Sequence, residues 1–180
     1  STTQIAGSAS GVSYPKGTTT NTFRVTDAVG NSTTCSFTVT VTDNEAPAIT
    51  CPANIAVNVA PGTCAQTATY TAPIGTDNCP GATTAQITGL ASGASYPTGV
   101  TTNTFRVTDA VGNSRTCSFT VTVTDNEAPA ITCPSNIGVN VAAGTCAQNV
   151  TYTAPTGTDN CPGATTAQIA GLASGASYPK

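Results

Sequence analysis

Hydrophobic residues alternate with polar ones in "TNTFRVTDAVGNSRTCSFTVTVTD", residues 102–125. Phe105 and Val107 share one parity before the turn, and Cys117 and Phe119 share one after it, with polar residues between them. A period of two indicates strands with one buried face, and the glycine of "DAVGN" is typical of the turn that joins two strands. This segment therefore predicts a β-hairpin.

The preceding residues show the same period in shorter runs. Apolar positions alternate with polar ones across 55–59 and 68–72, and "PGT" at 61–63 separates the two runs, which predicts a second hairpin. Residues 83–90 predict a further short strand, and the Gly and Pro residues of 91–100 indicate a bend or an edge segment. Six or seven short strands in about 80 residues predict an immunoglobulin-like β-sandwich.

The motif "VTDNEAPAITCP" occurs at residues 41–52 and again at 123–134. Asp125 follows Asp43 by 82 residues, so the chain is a tandem repeat with an 82-residue period. The predicted domains are the C-terminal part of a repeat, a complete repeat and the N-terminal part of a third repeat: 1–42, 43–124 and 125–180.

The composition is that of a β-rich extracellular surface. Only 7% of the residues are charged, His, Trp and Met are absent, and Thr, Ala, Gly and Ser dominate. A net charge of -3 with five Lys and Arg argues against nucleic acid as a partner, and no apolar run approaches the roughly 20 residues of a membrane span. Without His, a Ser-His-Asp arrangement is excluded, and we expect no enzyme activity.

Eight cysteines in 180 residues, four of them in the complete repeat, indicate a disulfide framework. Disulfides persist in oxidising compartments, so we expect a secreted or cell-surface protein. Zinc binding is disfavoured because the chain has no CxxC pair and no His. The predicted fold is all-β: tandem immunoglobulin-like β-sandwich repeats of 82 residues, stapled by disulfides.

All eight acidic residues lie in three motifs, "TDNE", "TDNC" and "DAVGN". In a sandwich these motifs come to one pole, where carboxylate and amide oxygens suit Ca²⁺ at each junction between repeats. Turn chemistry explains the same residues equally well, because Asp and Asn side chains bond to nearby backbone amides. The candidate calcium ligands are Asp43, Glu45, Asp77, Asn78, Asp109, Asn113, Asp125, Glu127 and Asp159.

Three segments carry a family resemblance: "DNEAPAITCP", "YTAPIGTDNC" and "YPTGVTTNTFRVTDAVGNSRTCSFTVTV". In order and spacing the chain resembles the hyalin repeat, or HYR domain, over the whole of the copy. The resemblance implies an extracellular immunoglobulin-like module that occurs in tandem in adhesion and matrix proteins, including bacterial surface proteins. The additional pair Cys64 and Cys79 is a feature associated with bacterial versions.

Four cysteines in one repeat allow three connectivities. Cys51 opens the first strand and Cys117 the last, which are neighbours in an immunoglobulin-like sandwich, and the resemblance supports the same pair. Cys64 would then pair with Cys79. The third repeat would pair Cys146 with Cys161, which leaves two cysteines to pair across subunits or with residues outside the segment: Cys35 and Cys133.

Two function classes stay open at this stage. The first is a structural repeat that forms a stalk, a fibre or a head-to-tail filament, with itself as the partner through neighbouring repeats or identical subunits. Residues 1–42 and 125–180 are complementary parts of a repeat, so strand exchange could join two chains; the chain could equally be a window onto a longer array. The second class is an adhesive module that recognises a glycan or protein on another surface.

Overall fold

The computed structural model describes residues 1–179, and they are all-β. The predicted all-β fold class is therefore confirmed, and the arrangement of sheets is consistent with tandem β-sandwich repeats. Within residues 1–179 no helix has the length and apolar character needed to cross a membrane. The strands are β1 (Thr2–Ala6), β2 (Gly17–Thr26), β3 (Ser32–Val41), β4 (Ile55–Asn58), β5 (Ala65–Thr67), β6 (Thr83–Thr88), β7 (Ser95–Pro97), β8 (Gly99–Thr108), β9 (Ser114–Thr124), β10 (Ala147–Asn149) and β11 (Ser177–Pro179).

The chain divides into two compact units, and each is assembled from three chain segments. Unit 1 consists of Ser1–Thr50, Pro73–Ala85 and Arg106–Cys117. Unit 2 consists of Cys51–Ala72, Gln86–Phe105 and Ser118–Lys180. Each of the two junction sites described below lies within a single unit.

The complete repeat contains a four-stranded sheet in the order β4-β9-β8-β6 and a two-stranded sheet of β5 and β7. β4 runs parallel to β9, with Ile55 opposite Val121, and β5 runs antiparallel to β7. The hairpin predicted from residues 55–59 and 68–72 is therefore wrong. Alternation specifies which face of a strand is buried, but it does not specify which strand lies beside it.

Aromatic side chains form the centre of the core in unit 2. Phe105 and Phe119 are 4% and 2% exposed, and their rings stack with centroids 6.4 Å apart. The Tyr70 ring meets Phe119 edge-on at 4.9 Å, a favourable geometry for an aromatic pair. The buried parity predicted for the two strands of residues 102–125 is confirmed by these two phenylalanines.

A buried asparagine fixes the corner that follows β6. The Asn103 side chain is fully buried, and its Oδ1 accepts hydrogen bonds from the Leu90 N–H at 2.8 Å and from Gln86 Nε2 at 3.1 Å. Gly89 has a φ of +89°, and a Cβ at this position would clash with the Asn103 side chain. The corner therefore needs glycine at position 89 and an acceptor at position 103.

The two partial repeats keep parts of this arrangement. The first forms a sheet in the order β1-β2-β3, in which Phe23 and Phe37 stack with centroids 6.2 Å apart. In the described part of the third repeat, β10 and β11 pair with Ala147 opposite Pro179, the same register that β5 and β7 show in the complete repeat. Identical sequence thus reproduces local pairing even where a repeat is incomplete.

Candidate functional site

One junction site lies in unit 1, and we call its five residues the acidic face: Asp43, Glu45, Asp77, Asn78 and Cys79. An isolated bridge between Ala48 and Thr76 holds the first two residues beside the other three. Ligand atoms of Asp43, Asp77 and Cys79 lie within 4.8 Å of one another. The "TDNE" and "TDNC" motifs therefore meet at this pole of the repeat.

Asp43 is the most buried carboxylate of the acidic face, with 9% of the residue exposed. Its Oδ2 lies 3.3 Å from the Lys16 ammonium, and its Oδ1 accepts the Glu45 N–H at 3.3 Å. A hydrogen bond with the Cys79 thiol, together with these two donors, holds the pKa of Asp43 below its usual value although burial opposes this. The carboxylate is therefore ionised and partnered within the chain.

The third motif, "DAVGN", joins the same site through Asn113. Asp109 Oδ1 accepts the N–H groups of Val111, Gly112 and Asn113 at 2.7 to 3.0 Å, as an Asx turn does. Asn113 Nδ2 donates to Asp109 Oδ2 at 2.9 Å and to the backbone carbonyl of Asp43 at 3.3 Å. Burial raises the pKa of Asp109, but these hydrogen bonds outweigh it and lower the pKa overall.

The fit of calcium to these residues is partial. The carboxylate of Asp109 is occupied by its own turn, and Glu45 Oε2 accepts a hydrogen bond from Asn78 Nδ2 at 2.8 Å. Asp43 and Asp77 remain as neighbours, and Asp77 Oδ1 is buried without a hydrogen-bond partner. Two carboxylates are fewer than the six to eight oxygens that calcium takes, so backbone carbonyls or water would have to supply the rest.

The second junction site lies in unit 2, where the loop 60–64 between β4 and β5 contacts the third repeat. The Gly62 N–H donates to Glu127 Oε2 at 2.7 Å, and Asn160 Nδ2 donates to the Thr63 carbonyl at 2.6 Å. Asn160 Nδ2 also lies 3.3 Å from Asp125 Oδ1. These contacts join residues that the predicted boundaries assign to different repeats.

A disulfide completes this junction, because Cys64 is bonded to Cys161 with their Cα atoms 4.9 Å apart. This corrects two predicted pairs, Cys64 with Cys79 and Cys146 with Cys161. The prediction assigned both cysteines of a pair to one repeat because they are close in sequence. In the structure Cys79 lies beside Asp43, whereas the loop that carries Cys64 faces the "TDNC" segment of the next repeat.

The remaining cysteines fall into two groups. Cys51 and Cys117 are each disulfide-bonded, and the pairing predicted between them stays a prediction. Four cysteines are free thiols: Cys35, Cys79, Cys133 and Cys146. The hydrogen bond to Asp43, with burial, raises the pKa of the Cys79 thiol.

Sequence reasoning missed three residues of the second junction: Gly62, Thr63 and Asn160. The signal was present in the 82-residue period. When every copy carries the same cysteines, a cysteine can pair with the equivalent of its expected partner in the next copy. Asn160 lies next to Cys161 and Thr63 next to Cys64, so that alternative pairing would have brought them together.

The sequence profile of the HYR domain matches the chain three times, at residues 2–41, 42–123 and 124–180. The chain belongs to the HYR domain family. Each of the last two HYR matches begins one residue before the boundary predicted from the repeat period. Together the three matches cover residues 2–180.

Two relatives of these HYR repeats are hyalins. Hyalin of Strongylocentrotus purpuratus is 36% identical over 155 residues, which cover 83% of this chain and 13% of that protein. Hyalin of Lytechinus variegatus is 34% identical over 165 residues, which cover 88% of this chain and 31% of that protein. The chain thus spans less than a third of either relative. Both are echinoderm proteins, so the predicted bacterial type is not supported.

Proposed function

We propose that the chain is a segment of an extracellular structural protein, in which HYR repeats form a stiff stalk or fibre, or a filament of subunits joined end to end. The observation that carries this proposal is the Cys64–Cys161 disulfide, which crosses from one repeat to the next. The hydrogen bonds of Gly62 and Asn160 cross at the same place. A junction with one covalent and two polar connections resists rotation of neighbouring repeats, and resistance to bending is what a stalk requires.

Small-angle X-ray scattering of the 180-residue chain tests this stiffness. We expect Cys161→Ser to broaden the distribution of interatomic distances, because the remaining hydrogen bonds permit the third repeat to reorient. Cys146→Ser is the matched control, since Cys146 is a free thiol in this chain. Identical scattering curves for the wild type and Cys161→Ser would contradict the structural role of the junction.

The extracellular location is supported by the number of cysteines and by the disulfides, which intracellular thiol buffers would reduce. The test is to alkylate thiols at the moment of harvest and map disulfides in native material by mass spectrometry. We expect the Cys64–Cys161 peptide in oxidised form. Recovery of both cysteines as alkylated thiols would contradict an extracellular location.

The alternative function is adhesive recognition of a glycan or protein on another surface. A recognition patch would be expected to differ between copies, whereas the copies in this chain are nearly identical. The structural function is therefore the better supported. Binding of the chain to a glycan array, abolished by one exposed substitution in the complete repeat, would reverse this preference.

Calcium at the acidic face is a further part of the proposal. It is supported by the unpaired, buried Oδ1 of Asp77 beside Asp43. Calorimetric titration with Ca²⁺ is expected to give heat and a raised melting temperature, and Asp77→Asn is expected to abolish both. A titration with neither effect leaves these residues as turn and capping groups only.

A further inference from the structure

An apolar cavity of about 740 Å³ opens in the third repeat, within unit 2. Its lining includes Ile131, Cys133, Tyr152 and Ile169. Tyr152 corresponds to Tyr70 of the complete repeat, 82 residues earlier. In the complete repeat that tyrosine packs against two phenylalanines, whose equivalents in the third repeat are not among residues 125–180.

The tyrosine at this cavity already has the orientation that it has in the complete repeat. The Tyr152 hydroxyl donates to the Leu172 carbonyl at 2.7 Å and to Gln168 Oε1 at 3.2 Å. The Tyr70 hydroxyl makes the equivalent bonds, at 2.8 and 3.2 Å. The wall of the cavity is therefore preformed for an aromatic partner.

Other core positions of the third repeat are exposed where the complete repeat covers them. Ile137 and Val139 are 51% and 53% exposed, whereas their equivalents Ile55 and Val57 in β4 are only partly exposed. In the complete repeat these positions pair with β9. The residues 137–140 form no strand in the structure, which matches the lack of a partner.

The matching partner surface is the β2–β3 hairpin of the first repeat. Phe23 and Phe37 stack with centroids 6.2 Å apart and an interplanar angle of 8°. The pair that fills the core of the complete repeat, Phe105 and Phe119, stacks in the same way at 6.4 Å and 12°. Phe37 is 52% exposed, whereas Phe119 is 2% exposed. The hairpin thus presents a core pair that has no core to enter.

We propose that the cavity of the third repeat receives the β2–β3 hairpin of a second copy of this chain, with Phe23 and Phe37 against Tyr152. This inference rests on the end-to-end form of the proposed function. Residues 125–180 and 17–42 together hold each position of the complete repeat once. The interface between these two parts is the one already established inside residues 43–124, so the register follows from it: residues 137–140 lie parallel to 39–42.

The duplicated stretch of the repeat finds a place in this arrangement. Residues 1–16 and 165–180 correspond to the same part of the repeat. β1 is already paired with β2, so the hairpin brings its own neighbouring strand, whereas residues 165–170 form no strand. The incoming β1 therefore takes the position of β6 in the completed domain, and residues 165–170 are displaced.

The same docking brings together the two halves of a junction. Cys146 corresponds to Cys64, and the loop that carries it has the same turn, with Thr145 N–H donating to the Ala142 carbonyl as Thr63 N–H does to Ala60. Cys79 corresponds to Cys161. Since Cys64 and Cys161 are bonded across a repeat boundary, Cys146 of one copy is placed to bond to Cys79 of the next.

Formation of this bond is an oxidation. Cys79 and Cys146 each lose a proton, the Sγ–Sγ bond forms, and two electrons pass to a small-molecule disulfide that is reduced to two thiols. Cys35 and Cys133, whose equivalents Cys117 and Cys51 are disulfide-bonded, react in the same way inside the completed domain. The docked hairpin is then covalently retained.

Sedimentation of the full chain under reducing conditions tests the docking. We expect concentration-dependent end-to-end oligomers and, for Phe37→Ser, association at least about tenfold weaker, the ratio that corresponds to about 1.4 kcal/mol. Phe37 is exposed in the single chain, so its replacement spares the fold; Val29→Ser, at an 82% exposed turn position, is the matched control. A chain that stays monomeric, or oligomers that Phe37→Ser does not weaken, would overturn the proposal.

Disulfide mapping after oxidation tests the covalent link separately. Equal amounts of ¹⁴N- and ¹⁵N-labelled chain are oxidised with glutathione disulfide in a Cys35→Ser, Cys133→Ser background. We expect mixed-isotope peptides that join Cys79 to Cys146. With Cys79→Ser and Cys146→Ser proteins, either alone should give no such link, and their mixture should give covalent dimers and nothing larger. Absence of the mixed-isotope peptide in oligomers would overturn the covalent link, while the scattering test of junction stiffness within one chain would stand.

Discussion

Removal of the disulfide between Cys64 and Cys161 should loosen the third repeat without unfolding the complete one. Cys161→Ser deletes the bond and leaves a side chain of similar size. Cys146→Ser is the control, because it removes a free thiol of the same partial repeat.

The size of the effect follows from the loop that the bond closes. Cys64 and Cys161 are 97 residues apart, and the loss of chain entropy on closing a loop of this length corresponds to about 4.7 kcal/mol. Two hydrogen bonds remain in the variant. The Gly62 N–H bond to the Glu127 carboxylate is worth about 1.5 to 3 kcal/mol, and the Asn160 bond to Thr63 about 1 kcal/mol. These bonds keep the junction partly closed, so the observed loss should lie between about 2 and 4.7 kcal/mol.

Native-state hydrogen exchange measures this loss where it should occur. The free energy of opening at the amides of β10 and β11 is expected to fall by that amount in Cys161→Ser, while amides of β8 and β9 keep their protection. The reasoning is refuted if β10 and β11 exchange equally in the wild type and Cys161→Ser while mass spectrometry finds the bond intact in the wild type. Equal losses in Cys146→Ser would also refute it.

Three further predictions concern the corner and the acidic face. Asn103→Ala should lower the free energy of unfolding by about 2 to 4 kcal/mol in urea, because a buried N–H loses its acceptor; Asn126→Ala, on an exposed residue, is the control, and a loss under about 1 kcal/mol would contradict the corner's role. The Asp109 carboxyl has a lowered pKa in the folded state, so its stabilising contribution is present above the unfolded-state pKa of about 3.9 and is lost as the pH falls through the folded-state pKa. Thermal melts from about pH 5 to pH 2 should show this loss in the wild type and a smaller one in Asp109→Asn, and equal slopes would count against the Asx turn. Asp43→Asn should speed alkylation of Cys79 at about pH 8, because the hydrogen bond that raises the thiol pKa is weakened; an unchanged rate would show that this contact does not control the thiol.

Local features of the fold follow from the amino-acid sequence. Period-two alternation predicts the burial of Phe105 and Phe119, since successive side chains of a strand point to opposite faces. The "DAVGN" turn is predictable for a similar reason, because the carboxylate of Asp109 bonds to amides only two to four residues ahead of it. The 82-residue period is a property of the sequence itself.

Contacts between distant residues required the tertiary structure. Residues 55–59 have the pattern of a strand, but the choice of β9 as the parallel partner of β4 depends on the path of the chain between them. The same holds for the carboxylates: Asp77 and Asp109 belong to motifs that the sequence groups together, yet only the structure shows that Asp109 is occupied by its own turn while Asp77 Oδ1 has no partner.

The cysteines show the division most clearly. Their number indicates disulfides and an oxidising compartment, because those follow from composition alone. Their pairing is a matter of which Sγ atoms meet, and in a repeat protein each cysteine has identical candidates in its own copy and in the next. The structure decides between them: the loop that carries Cys64 reaches the third repeat and meets Cys161, whereas Cys79 lies beside Asp43.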